Sequence, residues 1–178
     1  MRDSLDPAQF MQAKLLEQQQ RHLRYAETNL EPNIKESAGG LRDLQAILWI
    51  ARAAGIGKSW RELAARGVIT NAEAREIGQH EQLLQSLRIR LHYCAGRRED
   101  RLLFDFQTAI ARQFGLHERP HRLASEQLMQ RYYRTAKAVS QLTTFVLQNL
   151  DARIMPPRDK EYHPINERFG ARDELLSA

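Results

Sequence analysis

The residues best suited to chemistry lie in one stretch, residues 33–45, which reads N-I-K-E-S-A-G-G-L-R-D-L-Q. Lys35 precedes the pair Gly39-Gly40, and Arg42 and Asp43 follow in what we expect to be the first turn of an amphipathic helix. Free backbone N–H groups and the helix dipole both favour an anion at a helix N-terminus. The stretch is therefore either a phosphate-binding turn or only a tight turn before a helix. Spacing alone leaves both interpretations open.

A second charged stretch follows the end of a long predicted helix and contains Arg97, Arg98, Asp100 and Arg101. Cations near a helix C-terminus gain roughly 0.3–1 kcal/mol from the helix dipole, so we predict a structural or surface role for these residues. A third stretch is Arg131-Tyr132-Tyr133-Arg134, whose tyrosines are more typical of a core than of a platform for stacking bases.

Motifs for catalysis are missing from the sequence. Gly57-Lys58-Ser59 imitates the end of a phosphate-binding loop, but Arg52 occupies the position where that motif needs a glycine. His117 and His121 have helical spacing, but the intervening Pro120 argues against a helix there. We therefore predict no catalytic residue and no metal site in this chain.

Composition indicates a helical globular domain. The 178 residues are 42% hydrophobic and 28% charged, with only 9 Gly and 6 Pro, and no stretch keeps an apolar/polar alternation for long. The net charge is +5, but acidic residues are interleaved with the basic ones, so the charge alone does not indicate nucleic-acid binding. The single Cys94 excludes an internal disulfide, and no apolar run is long enough to span a membrane. We predict a cytoplasmic protein.

Helix caps and apolar periodicity predict the elements that must position these residues. The expected helices cover Pro7 to Leu23, Gly40 or Leu41 to Gly55, Ser59 to Gly67, Thr70 to Gly96, Asp105 to Phe114, and Ser125 to Asp151. The predicted fold is all-α, a bundle of five to six helices with two long central helices. We expect residues 24–38 to be extended or looped, residues 39–154 to form the bundle, and residues 155–178 to be an irregular linker.

The three charged stretches together resemble one family. Residues 34–44, I-K-E-S-A-G-G-L-R-D-L, resemble the K-x-[GS]-x-G-G-[IL]-R-[DE] signature of two bacterial nitrogen-regulation enzymes, one that adenylylates glutamine synthetase and one that modifies the PII signalling protein. Residues 29–33, the run from Leu91-His92 to Asp105, and Met129 with Tyr132-Tyr133 favour the second family, the bifunctional uridylyltransferase/uridylyl-removing enzymes. Ala38 departs from the proline that family members usually carry.

The resemblance implies a helical domain between a nucleotidyltransferase domain and a phosphohydrolase domain. Residues 1–38 would then be the end of, or linker from, the transferase domain, and residues 155–178 would lead toward the hydrolase domain. Such an enzyme transfers UMP from UTP to a tyrosine of PII, with Mg²⁺ held by carboxylates outside this chain, and the fragment alone would be inactive. Lys35 and Arg42 would face nucleotide phosphates, Gly39 and Gly40 would allow close backbone approach, and Asp43 would orient Arg42 or Lys35.

Two other functions remain open at this stage. A stand-alone basic module could bind nucleic acid through arginines on a contiguous face, namely Arg88, Arg97, Arg98, Arg101, Arg131 and Arg134. Alternatively, the domain could be a purely structural spacer that fixes the geometry of its neighbours without contacting a ligand.

Overall fold

The computed structural model describes residues 6–26 and 30–155, together with three short strand segments at 163–164, 170–172 and 175–177. The described helices are six, which confirms the all-α prediction for this part of the chain. Their bounds are α1 Pro7–Tyr25, α2 Leu41–Ala53, α3 Trp60–Ala65, α4 Asn71–Ala95, α5 Phe104–Gln113 and α6 Ala124–Ile154.

Side-chain caps set the helix starts that the sequence predicted. The Asp6 carboxylate accepts a hydrogen bond of 2.9 Å from the Ala8 N–H at the start of α1. At the start of α4, the Thr70 hydroxyl accepts from the Glu73 N–H while the Glu73 carboxylate accepts from the Thr70 N–H. These bonds occupy N–H groups that have no partner within the helix.

Two helices are longer than predicted. Helix α1 continues to Tyr25 rather than ending at Leu23, and α6 extends to Ile154 rather than Asp151. The end of α1 is held by tertiary contacts, because Arg21 and His22 both reach Asp43 in α2. Arg153 in the last turn of α6 donates to the carbonyls of Arg66 and Gly67 after α3.

Helices α4 and α6 are the two long central helices. Helix α6 packs against α2, α4 and α5, while α3 packs on α4 and α1 packs on α2. Leu84 of α4, Val139 and Val146 of α6, and Ile47 of α2 are all fully buried in the shared core. Burying one such side chain stabilises the folded state by roughly 1.5–3 kcal/mol, so the buried apolar face of each helix holds the neighbouring helices in place. Met11 adds α1 to the same core.

The segment 24–38, expected to be extended or looped, is a series of turns from residue 30 onward, and its first two residues belong to α1. The Asn33 side-chain oxygen accepts from the N–H groups of Lys35 and Glu36, at 3.0 and 2.8 Å. The Ser37 hydroxyl accepts from the Asn33 N–H at 3.0 Å. Asn and Ser bend the backbone in this way because their short side chains reach nearby main-chain groups. Residues 27–29 of the predicted segment lie outside the described residues.

The C-terminal segment contains strands that the sequence did not predict. They are β1 His163–Pro164, β2 Gly170–Arg172 and β3 Leu175–Ser177, paired antiparallel in the order β1-β2-β3. The other residues of the predicted linker, apart from Met155, lie outside the described part. Within the described residues, none of the helices combines the length and apolar character that crossing a membrane requires.

Candidate functional site

The three charged stretches meet around one feature, residues 33–40, which we call the 33–40 turn. The Ile34 N–H donates to the Asp100 carbonyl at 2.8 Å, and the Leu102 N–H donates to the Pro32 carbonyl at 2.9 Å. These bonds join the turn to the second stretch. Gly39 lies directly against the backbone of Ala136, one helical turn beyond Tyr132-Tyr133 in α6. The fold therefore brings together the parts that carried the resemblance.

Asp43 is the buried centre of this region, with only 1% of its surface exposed. Its carboxylate accepts hydrogen bonds from the Arg21 guanidinium, from the Gly39 N–H at 2.8 Å, and contacts His22 Nε2 at 3.0 Å. Arg21 also donates from Nε to the Glu36 carbonyl at 3.1 Å. The structure thus gives Asp43 different partners from the expected Arg42 or Lys35. Asp43 ties α1 to the start of α2 and to the 33–40 turn.

The pKa of Asp43 is lowered by its partners. Burial alone would raise it, but hydrogen bonds from His22, Gln18 and the Gly39 N–H, together with the charge of His22, outweigh burial and hold the pKa below its usual value of 3.8. The Arg21 guanidinium acts in the same direction. Asp43 is therefore ionised in the folded protein at neutral pH.

Gly39 and Gly40 allow backbone to approach backbone. A Cβ on Gly39 would lie 2.0 Å from the Ala136 carbonyl oxygen, and Gly39 has a φ of 73°, a conformation that favours glycine. A Cβ on Gly40 would lie 2.8 Å from the carbonyl oxygens of Ile34, Lys35 and Ser37. In this structure the close approach predicted for the two glycines is to the chain itself.

The N-terminus of α2 has few free N–H groups for an anion. The N–H groups of Leu41 and Arg42 donate to the carbonyls of Ile34 and Lys35, at 3.1 and 2.9 Å, and the Asp43 N–H donates to Gly40 at 3.1 Å. The 33–40 turn therefore occupies the positions that a phosphate would take at an open helix N-terminus. An anion in this region would therefore have to be bound by side chains.

Lys35 and Arg42 are the cationic side chains available for such contact. Both are partly exposed, at 27% and 23% of the side chain, and both contact Glu36, at 3.1 and 3.2 Å. Burial alone would raise the pKa of Glu36, but hydrogen bonds and charge from Arg42 and Lys35 lower it. The Arg42 guanidinium also lies 5.3 Å from the centroid of the Trp49 ring. Glu36 and Trp49 thus hold Arg42 in one position.

The second stretch forms its own ion cluster. Asp100 accepts from Arg88 Nε at 2.5 Å and contacts His92 Nε2 at 3.1 Å. Although burial opposes the shift, hydrogen bonds from Arg88 and His92 lower the pKa of Asp100. The remaining predicted residues are at the surface: Arg97 pairs with Glu99 at 2.7 Å, Arg101 pairs with Glu31 at 3.2 Å, and Arg98 is exposed.

The two tyrosines of the third stretch differ in environment. Tyr132 is buried in the core, as predicted, and burial together with the charges of Tyr133 and Asp43 raises the pKa of its hydroxyl. Tyr133 is 41% exposed, and its ring meets that of Tyr132 edge to face with centroids 5.3 Å apart. Tyr133, His22, Leu23 and Ala38 help to line an open, mostly apolar cleft of about 680 Å³ between α1, the 33–40 turn and α6.

Sequence reasoning missed Arg21, His22 and Glu36. Gln18, Arg21 and His22 stand at i, i+3 and i+4 in α1, so they share one face of that helix. Helix α1 buries Met11, so its polar face could have indicated that these residues contact polar groups elsewhere in the domain. In the described residues, no three His, Cys, Asp or Glu side chains cluster in a way that could hold a metal ion.

The fold and this site define an all-α helical domain organised around the buried Asp43–Arg21 pair and the partly exposed His22. Residues 9–147 match the family model described as GlnD PII-uridylyltransferase, so the chain belongs to that family, as the motifs predicted. No solved structure matches the chain.

Curated relatives show the same relationship. The chain is 53% identical to a bifunctional uridylyltransferase/uridylyl-removing enzyme of Cupriavidus pinatubonensis over 97% of its length. It is 54% identical to an enzyme of the same description from Nitrosospira multiformis over 99%, and 58% identical to one from Burkholderia thailandensis over 87%. The matched regions cover 20%, 20% and 18% of these relatives, so the chain spans about a fifth of their length.

Proposed function

We propose that this chain is the helical domain of a bifunctional PII uridylyltransferase/uridylyl-removing enzyme, where it flanks the nucleotidyl-transfer cleft. Such an enzyme would transfer UMP from UTP to a tyrosine of PII in the cytoplasm. The family match and the activity for which the relatives are named support this proposal. This chain would join the transferase domain to the phosphohydrolase domain and would transfer no UMP by itself.

One observation carries the proposed role of the site: Lys35 on the 33–40 turn and Arg42 in the first turn of α2 are partly exposed cations beside backbone groups whose hydrogen bonds are satisfied. A turn fixed by Asp43 and Gly39 gives these side chains a defined position. Cations held in place beside phosphates stabilise the charge that develops during phosphoryl and nucleotidyl transfer. When a nucleotide binds, its phosphates would compete with Glu36 for Arg42 and Lys35.

Magnesium enters this proposal only through other parts of the enzyme. The carboxylates that hold Mg²⁺ would lie in other parts of the enzyme, and in the described residues no three His, Cys, Asp or Glu side chains cluster in a way that could hold a metal ion. Glu36 would hold Arg42 and Lys35, and Trp49 would hold Arg42, until a phosphate displaces the carboxylate.

Replacing Arg42 with Ala tests this role in an enzyme that contains the transferase and hydrolase domains. We expect UMP transfer to PII to fall by about tenfold to a hundredfold, because one charge-assisted contact to phosphate contributes roughly 1.5–3 kcal/mol. Uridylyl removal and the thermal midpoint should change little, since Arg42 is partly exposed. Transfer and removal rates measured on the same preparation check both expectations.

Arg52→Ala is the matched control, because Arg52 is an exposed arginine in the last turn of the same helix. Its transfer rate should remain at the wild-type level. If Arg42→Ala also stays within about twofold of wild type, the phosphate-facing role of Arg42 is wrong.

A structural spacer is the second candidate, and one observation favours it. The first-turn N–H groups of α2 are satisfied and both Lys35 and Arg42 already pair with Glu36, so the turn is complete without a ligand. The spacer interpretation predicts that Arg42→Ala leaves transfer unchanged.

Nucleic-acid binding has less support, because three arginines of its expected basic face form ion pairs. Arg88 pairs with Asp100, Arg97 with Glu99, and Arg101 with Glu31.

A further inference from the structure

A second concave surface lies away from the 33–40 turn, between α4 and α6. This α4–α6 cleft has a volume of about 500 Å³, within the range of roughly 300–1,000 Å³ that is typical of small-ligand sites. Three arginines line it, Arg122, Arg131 and Arg134, with His80 also contributing. Among the described residues, those lining the cleft include no Asp or Glu.

The three arginines of this cleft form no ion pair within the described part of the chain, a property they share with several other arginines such as Arg52 and Arg61. Six arginines elsewhere form ion pairs within 4 Å, namely Arg21, Arg42, Arg88, Arg97, Arg101 and Arg112. Among the lining residues, His80 lies 3.7 Å from Glu76. Three uncompensated like charges around one cleft attract an anion.

Two of the arginines are held in position. Arg131 lies over the Phe114 ring at 5.4 Å, and Arg90 lies over the same ring at 4.3 Å. Arg122 donates to the Gln130 side-chain oxygen. Reciprocal backbone bonds of 3.0 Å between Arg119 and Arg122 close a tight turn just before α6. Side chains held in this way lose less entropy when they bind a ligand.

Gln79 and Gln127 also line the cleft. The Gln127 side-chain nitrogen already donates to the carbonyls of His117 and Leu123, so Gln79 is the residue that adds an amide donor to the cationic wall. Guanidinium groups bind phosphate through paired N–H donors, and amide side chains complete such sites with neutral hydrogen bonds. From this geometry we propose that the α4–α6 cleft binds a small phosphate-bearing molecule. The cleft lies apart from Lys35 and Arg42, so the inference does not depend on the proposed function.

Calorimetric titration of the 178-residue chain tests the proposal, with pyrophosphate and ribose 5-phosphate as probes for a free phosphate and a sugar phosphate. At least one probe should bind with a dissociation constant in the millimolar range or below. Arg134→Gln should weaken that binding at least about tenfold, the effect of losing one charge-assisted contact. Arg134 is exposed, so this change should leave the fold intact. Amide NMR shifts should change at Gln79 and Gln127.

Arg61→Gln is the matched control, because Arg61 is an exposed arginine of α3 that does not line the cleft. Equal weakening by Arg61→Gln and Arg134→Gln would indicate attraction by net charge alone and would overturn the site. Citrate that binds as tightly as both phosphate probes would contradict the phosphate chemistry. The proposal would also be rejected if neither phosphate probe binds. Tighter binding of a short single-stranded RNA, with steep salt dependence, would reject it as well.

Discussion

Replacing Gly39 with Ala is expected to lower the free energy of unfolding by about 2–6 kcal/mol. A left-handed backbone at a non-glycine residue and an overpacked contact each cost roughly 1–3 kcal/mol. Gly39 incurs both costs, because its φ is 73° and a Cβ would lie 2.0 Å from the Ala136 carbonyl oxygen. That oxygen belongs to the backbone of α6, so no side-chain movement relieves the contact. Denaturant unfolding of the purified variant measures the loss.

Gly115→Ala separates the two costs. Gly115 has a φ of 71°, almost the same as Gly39, but a Cβ there would meet nothing within 4 Å. We expect this control to lose only about 1 kcal/mol, the cost of the backbone conformation alone. The difference between the two variants then measures the contact between the 33–40 turn and α6. Equal losses would mean that Gly39 is needed only for its φ angle.

Asp43→Asn is expected to destabilise the protein by about 3–5 kcal/mol, because it leaves the buried Arg21 charge without its carboxylate. The effect should depend on pH. The pKa of Asp43 is lower in the folded protein than its usual value of 3.8, so the ionised carboxylate stabilises the fold at pH values above 3.8. That stability is lost as the pH falls through the folded pKa. The gap between wild type and Asp43→Asn should therefore be largest near neutral pH and narrow below about pH 4.

Asp105→Asn is the control for this measurement. Asp105 also lies in the first turn of a helix, α5, but it is exposed, so its loss removes only the helix-dipole contribution of about 0.3–1 kcal/mol. Unfolding curves collected across a pH series compare the two variants. A loss for Asp43→Asn no greater than that for Asp105→Asn would show that the Asp43–Arg21 contact adds nothing to stability.

Local signals were sufficient to predict most of the helices. The caps at Asp6 and Thr70 and the left-handed Gly96 are contacts between near neighbours, which sequence spacing reports directly. The turn chemistry of Asn33 and Ser37 was equally local, but only an extended or looped segment was predicted there, without these side-chain bonds. Membership of the family was also predicted from short motifs in the right order.

The candidate site depended on contacts that spacing does not report. Asp43 was recognised as important, but its partner Arg21 lies in another helix, and only the packing of α1 on α2 brings them together. Gly39 was expected to approach a ligand, whereas its close neighbour is Ala136, far along the chain. Such contacts are set by how the helices pack, whereas the periodicity of a single sequence predicts the helices but not which residues of different helices meet.

The pairing between residues 32–34 and 100–102 has a consequence for how cooperatively the domain unfolds. Ile34 and Leu102 donate their amides across this pairing and are both fully buried, although the chain between them contains all of α2, α3 and α4. Contacts between distant residues form only after the intervening loop has closed. Exchange of these two amide hydrogens with solvent should therefore require global unfolding and should accelerate with denaturant as unfolding does. Exchange that is insensitive to denaturant would mean that the pairing opens locally.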